Sequence, residues 1–179
     1  MIKFPALLAA LVATIATPLR PQDSSRFRVT EMRALLFFQD SGGFSKFNAM
    51  AEGLQAPALW NVAVGEGAAA SHASAATLVL VRVQGPSAGF GGKPILHVTA
   101  SQEVDTGWAV EIDKSVPLDP FFTATGTAVW VPFIVYGTGC EAIKVKATII
   151  SVQRLVRGKG WETQESTPYT KTIPFKCGE

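Results

Sequence analysis

Two histidines and two cysteines are the side chains of this 179-residue protein that most readily do chemistry. Nucleophilic hydrolysis requires a serine or cysteine beside a histidine that a carboxylate orients. His72 lies among small residues in GEGAAASHASAA, and His97 lies in ILHVT, where it alternates with apolar neighbours. We predict no nucleophile elbow and expect neither histidine to be catalytic. The surroundings of the two histidines therefore favour a non-enzymatic protein, with an enzyme as the alternative.

Acidic and thiol residues give no pattern for a metal or cofactor site. Two cysteines and two histidines at unrelated spacings do not form a zinc motif. Glu111, Asp113 and Asp119 lie near KSVPLDP without the regular oxygen spacing of a calcium loop. The GFGGK segment lacks the following helix of a phosphate-binding loop. We therefore predict no metal and no cofactor.

Composition indicates a folded, nearly neutral domain. Apolar residues make up 47% of the chain and charged residues 17%, and the net charge is +2. A chain this apolar can bury a core, which argues against global disorder. Lysines and arginines are scattered, with no run of five, so we predict no nucleic-acid partner.

The N-terminus has the layout of a secretory signal peptide. A short positive segment precedes FPALLAALVATIA, and small residues at Thr14 and Ala16 fit cleavage after Ala16. The apolar run is shorter than the ~20 residues that span a bilayer, although an uncleaved anchor remains the alternative. We predict a signal peptide at 1–16, a flexible leader at 17–31 and one domain at 32–179. The mature protein is expected to be secreted or periplasmic, without a membrane span.

Export makes a disulfide the simplest role for the two cysteines. IKVKATII alternates strictly, PYTKTIPFKC forms a second candidate strand, and RGKG at 157–160 supplies the turn. An antiparallel hairpin centred in this turn places Cys140 opposite Cys177. We predict a Cys140–Cys177 disulfide that closes the open end of this hairpin.

Short strands separated by turn residues predict the fold class. We expect an all-β protein, an antiparallel β-sandwich of about eight strands with immunoglobulin-like architecture, and a small β-barrel as the alternative. Pro132 cannot donate to a ladder, so its strand is expected at an edge or a bulge. The glycine-rich segment 85–93 is predicted to join 77–84 and 94–101 as a hairpin. The residues expected in the core are Trp60, Val62, Val64, Ile143, Val145 and Ile149.

Two loops are candidates for ligand or partner contact. Residues 41–58 form a long connection that carries Phe44, Phe47, Met50 and Leu54. Loops of this length are often functional, although the apolar side chains could equally cap one end of the sandwich. Residues 65–75 form the second loop, which contains Glu66 and His72.

Three functions fit a sandwich scaffold, which hosts many unrelated activities. We favour an exported, non-enzymatic binding or accessory domain that contacts a protein or surface ligand through loops at one end. The alternatives are a small secreted hydrolase with a site assembled across strands, and a structural component of an envelope or secretion assembly.

Overall fold

The computed structural model describes residues 27–52, 74, 76–85, 93–104, 107–122, 128–136, 141–156 and 160–175. These residues form nine strands and one 3-10 turn at Asp119–Phe121. The strands are β1 (Arg28–Phe38), β2 (Gly43–Phe44), β3 (Ala76–Gln84), β4 (Ile95–Val104), β5 (Gly107–Pro117), β6 (Ala128–Tyr136), β7 (Ile143–Val156), β8 (Gly160–Glu165) and β9 (Tyr169–Ile173).

Two antiparallel sheets account for all of these strands. Sheet A has the order β2-β1-β3-β6, and sheet B has the order β5-β4-β7-β8, with β9 also paired to β7. No pairing between the described strands closes the sheets into a barrel. The prediction of an antiparallel β-sandwich is therefore confirmed over the part of the chain that the structure describes.

Alternation along the strands builds the core between the sheets. On β7, Ile143, Val145 and Ile149 are buried, whereas Lys144 and Lys146 are exposed. This confirms the inward facing predicted for those three apolar residues. Trp60, Val62 and Val64 lie outside the described residues. β1 begins at Arg28, four residues before the predicted start of the domain.

The terminal strands differ in part from the predicted hairpin. β7 pairs with β9 as expected, but β7 continues to Val156 and first pairs with β8. The polar sequence GWETQE gave no strand signal. Pairs between β7 and β9 have residue numbers that sum to 316, as in Ile143 opposite Ile173, whereas Cys140 opposite Cys177 requires 317. Both cysteines lie outside the described residues, so the disulfide stays a prediction.

The predicted hairpin across residues 85–93 is wrong. β3 pairs with β1 and β6 in sheet A, whereas β4 pairs with β5 and β7 in sheet B. The connection therefore crosses from one sheet to the other. Glycine and proline predict that the chain turns, but they do not specify whether the next strand joins the same sheet.

Pro132 lies on an edge strand, as predicted, because β6 is the last of the described strands in sheet A. The backbone N–H groups of Ala34 and Leu36 bond to the 45–48 segment rather than to β3. In an antiparallel sheet, the backbone N–H groups of successive residues point alternately to the two neighbouring strands. Counting from Ala34 and Leu36 across the paired strands, the backbone nitrogen of Pro132, which lies opposite Leu80, points to the open edge. The missing donor therefore leaves the β3–β6 ladder intact.

Candidate functional site

The outer face of sheet A carries apolar side chains in register across three strands. Cross-strand partners share a face, so Leu35, Leu78 and Ile134 form one row. Phe37, Ala76 and Tyr136 form the next row, towards the end of the sheet. Because alternate residues of β1, β3 and β6 fill the core, these strands are apolar on both faces at this end of the sheet.

A groove of about 160 Å³ opens on this face. Its lining residues, called the apolar groove below, are Phe37, Phe44, Ala76, Leu78, Ile134 and Tyr136. Phe44, Ile134 and Tyr136 are 45%, 47% and 69% exposed, and they are the large exposed apolar side chains among the described residues. Clustered exposed apolar groups mark contact surfaces more often than scattered ones do.

The β1–β2 turn positions Phe44 at the rim of the apolar groove. Gly42 has a φ of 65°, a conformation that favours glycine, and its N–H donates to the carbonyl oxygen of Phe38 at 2.9 Å. The turn sets Phe44 opposite Phe37, with ring centroids 5.4 Å apart. This aromatic pair forms one end of the groove.

The other apolar residues of the 41–58 loop that the structure describes point elsewhere. Met50 is 6% exposed and belongs to the core cluster, and Phe47 packs against that cluster while partly buried. Asn48 fixes this segment, because its Oδ1 accepts hydrogen bonds from the N–H groups of Ala34 and Met50. The structure thus separates exposed Phe44 from Phe47 and Met50, whose packing fits the capping alternative.

Several predicted site residues lie outside the described part of the chain. They are Leu54, Glu66 and His72 among the contact residues, and Cys140 and Cys177 for the disulfide. Their roles stay predictions.

The opposite end of the outer face of sheet A is cationic. Arg28, Arg33 and Arg82 lie on this face, together with the acidic residue Glu31. The Nε atom of Arg33 donates to the Oε1 atom of Glu31 at 2.7 Å. The guanidinium of Arg33 also lies 4.9 Å from the ring centroid of Trp130, within cation–π range. These three arginines are called the arginine end.

A histidine–carboxylate pair lies on the outer face of sheet B. The Nε2 atom of His97 is 2.7 Å from the Oδ1 atom of Asp113, and their side chains are 33% and 67% exposed. Ser115 and Thr148 lie opposite His97 on the neighbouring strands. A surface pair of this kind contributes about 0–1 kcal/mol to stability, so packing does not require it.

Although we predict no nucleophile elbow, GPSAG at residues 85–89 has Gly-x-Ser-x-Gly spacing. In a nucleophile elbow the serine occupies a sharp strand-to-helix turn. Here the segment follows β3 and precedes another strand, β4. Ser87 itself lies outside the described residues. The sequence context therefore differs from that of an elbow, while the serine remains a candidate.

The described residues contain no group of three His, Cys, Asp or Glu side chains placed to hold a metal ion. Within the same residues, no helix is long and apolar enough to cross a membrane.

The apolar groove is the feature that sequence reasoning missed. ALLFF in β1 and FIVY in β6 are continuous apolar runs, whereas a strand with one solvated face alternates. These runs could have indicated a second apolar face. Of the groove residues, only Phe44 was predicted as a contact residue.

Comparisons with protein-family models, curated proteins and solved structures find no match to this chain.

Proposed function

We propose that this protein is an exported, non-enzymatic binding domain that holds an apolar partner group on the outer face of sheet A. The observation that carries this proposal is the apolar groove, which brings three exposed large apolar side chains together on one sheet face. Exposing such a cluster to water is unfavourable, because each buried apolar Å² gains about 25 cal/mol. A partner that covers the cluster recovers this free energy.

The β1–β2 end of the sandwich supplies part of the contact. Phe44 comes from the loop that the sequence predicted as a contact loop, and it completes the groove with residues of β1, β3 and β6. The proposed surface therefore extends from the loops at one end onto the sheet face.

Nile red, an uncharged apolar dye, tests this proposal directly. The dye is expected to gain fluorescence with the native protein, and Ile134→Asn should weaken its binding about tenfold through lost apolar contact. Ile150→Asn is the matched control, because Ile150 lies opposite Ile95 on the outer face of sheet B. Equal dye binding by the two variants would overturn the proposal.

A small secreted hydrolase is the second candidate, favoured by the His97–Asp113 pair and by Ser87 in GPSAG. A fluorophosphonate probe labels only activated serines, by forming a bond from serine Oγ to phosphorus as fluoride leaves. We expect no labelling of the native protein. Labelling of Ser87 or Ser115 that is lost in His97→Asn would establish the hydrolase instead.

Export is the remaining part of the proposal. It is supported by the n-region, h-region and cleavage pattern at 1–16. Mass spectrometry of the exported protein is expected to give a mature chain that begins near Thr17. Recovery of intact residues 1–16 in the exported fraction would contradict it.

A further inference from the structure

The outer face of sheet A changes from apolar to cationic along its strands. On the central strand β3, the outward residues run from Ala76 and Leu78 through Leu80 to Arg82. In the middle row of the face, Leu80 and Pro132 are apolar, whereas the β1 position is Arg33. An apolar track along β3 and β6 therefore leads from the apolar groove to the arginine end, where the guanidinium of Arg33 reaches across to Trp130.

Arg82 is the cation best placed to meet a ligand on this track. It lies on the central strand, between Glu31 on β1 and Trp130 on β6. Glu31 forms an ion pair with Arg33 at 2.7 Å, and the described residues contain no carboxylate paired with Arg82. Arg82 is half-buried, and an arginine without a carboxylate partner favours an anion from outside the chain.

Arg28 adds a second unsatisfied donor at the same end. It lies opposite Gln84, one row beyond Arg82. Its Nε atom is buried and has no hydrogen-bond partner among the described residues. Buried donors are ordinarily satisfied. Three arginines and one glutamate thus leave two formal positive charges at this end of the face.

The length of the track sets the size of the ligand. Antiparallel strands rise about 3.4 Å per residue, so the backbone distance from Leu78 to Arg82 is ~14 Å and that from Ala76 to Arg82 is ~20 Å. A single extended apolar chain with an anionic headgroup matches both the length and the polarity. A flat bilayer surface does not fill a groove, and a neutral apolar ligand leaves the arginine end unused.

We propose that the ligand is a single-chain anionic amphiphile, such as a fatty acid, with its chain in the apolar groove and its carboxylate at Arg82. This inference rests on the proposed function and adds the chemical class of the ligand. Charge complementarity to the arginine end is the observation that selects an anionic headgroup.

Titration calorimetry with three ligands of equal chain length tests the headgroup. Dodecanoate, dodecanol and dodecyltrimethylammonium are each added as monomers to the full mature chain. Dodecanoate is expected to bind about tenfold more tightly than dodecanol, because it gains charge-assisted hydrogen bonds. The cationic amphiphile should bind more weakly than either.

Arg82→Gln tests whether Arg82 causes the preference for dodecanoate over dodecanol. This variant should bind dodecanoate and dodecanol equally, while retaining the dodecanol affinity of the native chain. Lys146→Gln is the matched control, because it removes one exposed cation from sheet B and should preserve the preference. A melting curve for each variant separates lost binding from lost folding.

Several outcomes would overturn the inference. Equal affinity of the native chain for dodecanoate and dodecanol would disprove recognition of an anionic headgroup, but it would leave the proposed role of the apolar groove intact. If neither dodecanol, dodecanoate nor Nile red binds, the proposed function itself is disproved. Sedimentation as a dimer that Ile134→Asn dissociates, without amphiphile binding, would assign the face to a second copy. Binding to anionic phospholipid vesicles without binding of monomeric dodecanoate would assign it to a membrane surface.

Discussion

Phe44 and Phe47 lie three residues apart, yet their surroundings predict opposite effects of the same substitution. Phe44 is 45% exposed in the apolar groove, whereas Phe47 packs against the core. Phe44→Ser should weaken Nile red binding and leave the melting temperature nearly unchanged. Phe47→Ser should lower the melting temperature and leave dye binding intact, because it exposes core side chains.

The two phenylalanine variants are each other's control. A large fall in melting temperature for Phe44→Ser, with normal dye binding, would show that Phe44 is a capping residue. The sequence could identify both residues as apolar, but not which one is exposed and which one packs against the core. That difference depends on Asn48 and Gly42, which direct the backbone between β1 and the loop.

Val145 provides a direct test of the core. It is fully buried on β7, opposite Ala100 on β4. Val145→Ala should decrease the free energy of unfolding by about 1–3 kcal/mol, because two methyl groups leave a cavity. Chemical denaturation measures this change. Lys146→Ala on the exposed face should change it by less than about 0.5 kcal/mol, and a similar small change for Val145→Ala would contradict the burial.

At the scale of elements, strands with strict alternation were predictable, and their partners were less so. β7 follows from IKVKATII because burial on one face imposes a period of two. β8 was missed since its polar sequence has no apolar period. The chain passes from sheet A to sheet B between β3 and β4. This change of sheet depends on packing between distant strands, which local turn composition does not encode. The apolar groove needs the register of three strands, so it was not predictable from any one of them.

The β6 edge gives a prediction at this scale. Pro132 removes one backbone donor from the open edge of sheet A, and such prolines oppose edge-to-edge pairing. Pro132→Thr restores the donor and should increase association between copies. Sedimentation velocity should then show a larger associated fraction than the native chain has at the same concentration. Ile134→Thr, on the same edge strand, adds no backbone donor and serves as the control. An equal increase in both variants would disprove the role of the proline.

For the whole molecule, the two outer sheet faces differ in character. The outer face of sheet B carries polar and charged groups, including His97, Asp113 and Lys146. Sheet A combines an apolar groove with the arginine end. The net charge of +2 does not reveal this difference, because a sum over the chain says nothing about which face holds the arginines. The asymmetry therefore assigns the proposed ligand to sheet A.

The two cysteines give the last prediction, because a bond between them would restrict the unfolded chain and thereby stabilise the folded molecule as a whole. A Cys140–Cys177 disulfide closes a loop of 36 intervening residues, and the loop-entropy model assigns it about 3–4 kcal/mol. The described β7–β9 register differs by one residue from the one assumed for the bond, so the test is chemical.

Thiol titration of unreduced, denatured mature protein should find no free thiol. Reduction should then lower the free energy of unfolding by this amount in the native chain but leave a Cys140→Ser/Cys177→Ser variant unchanged. Two free thiols per chain would refute the bond, and a dimer seen only on a non-reducing gel would place it between chains.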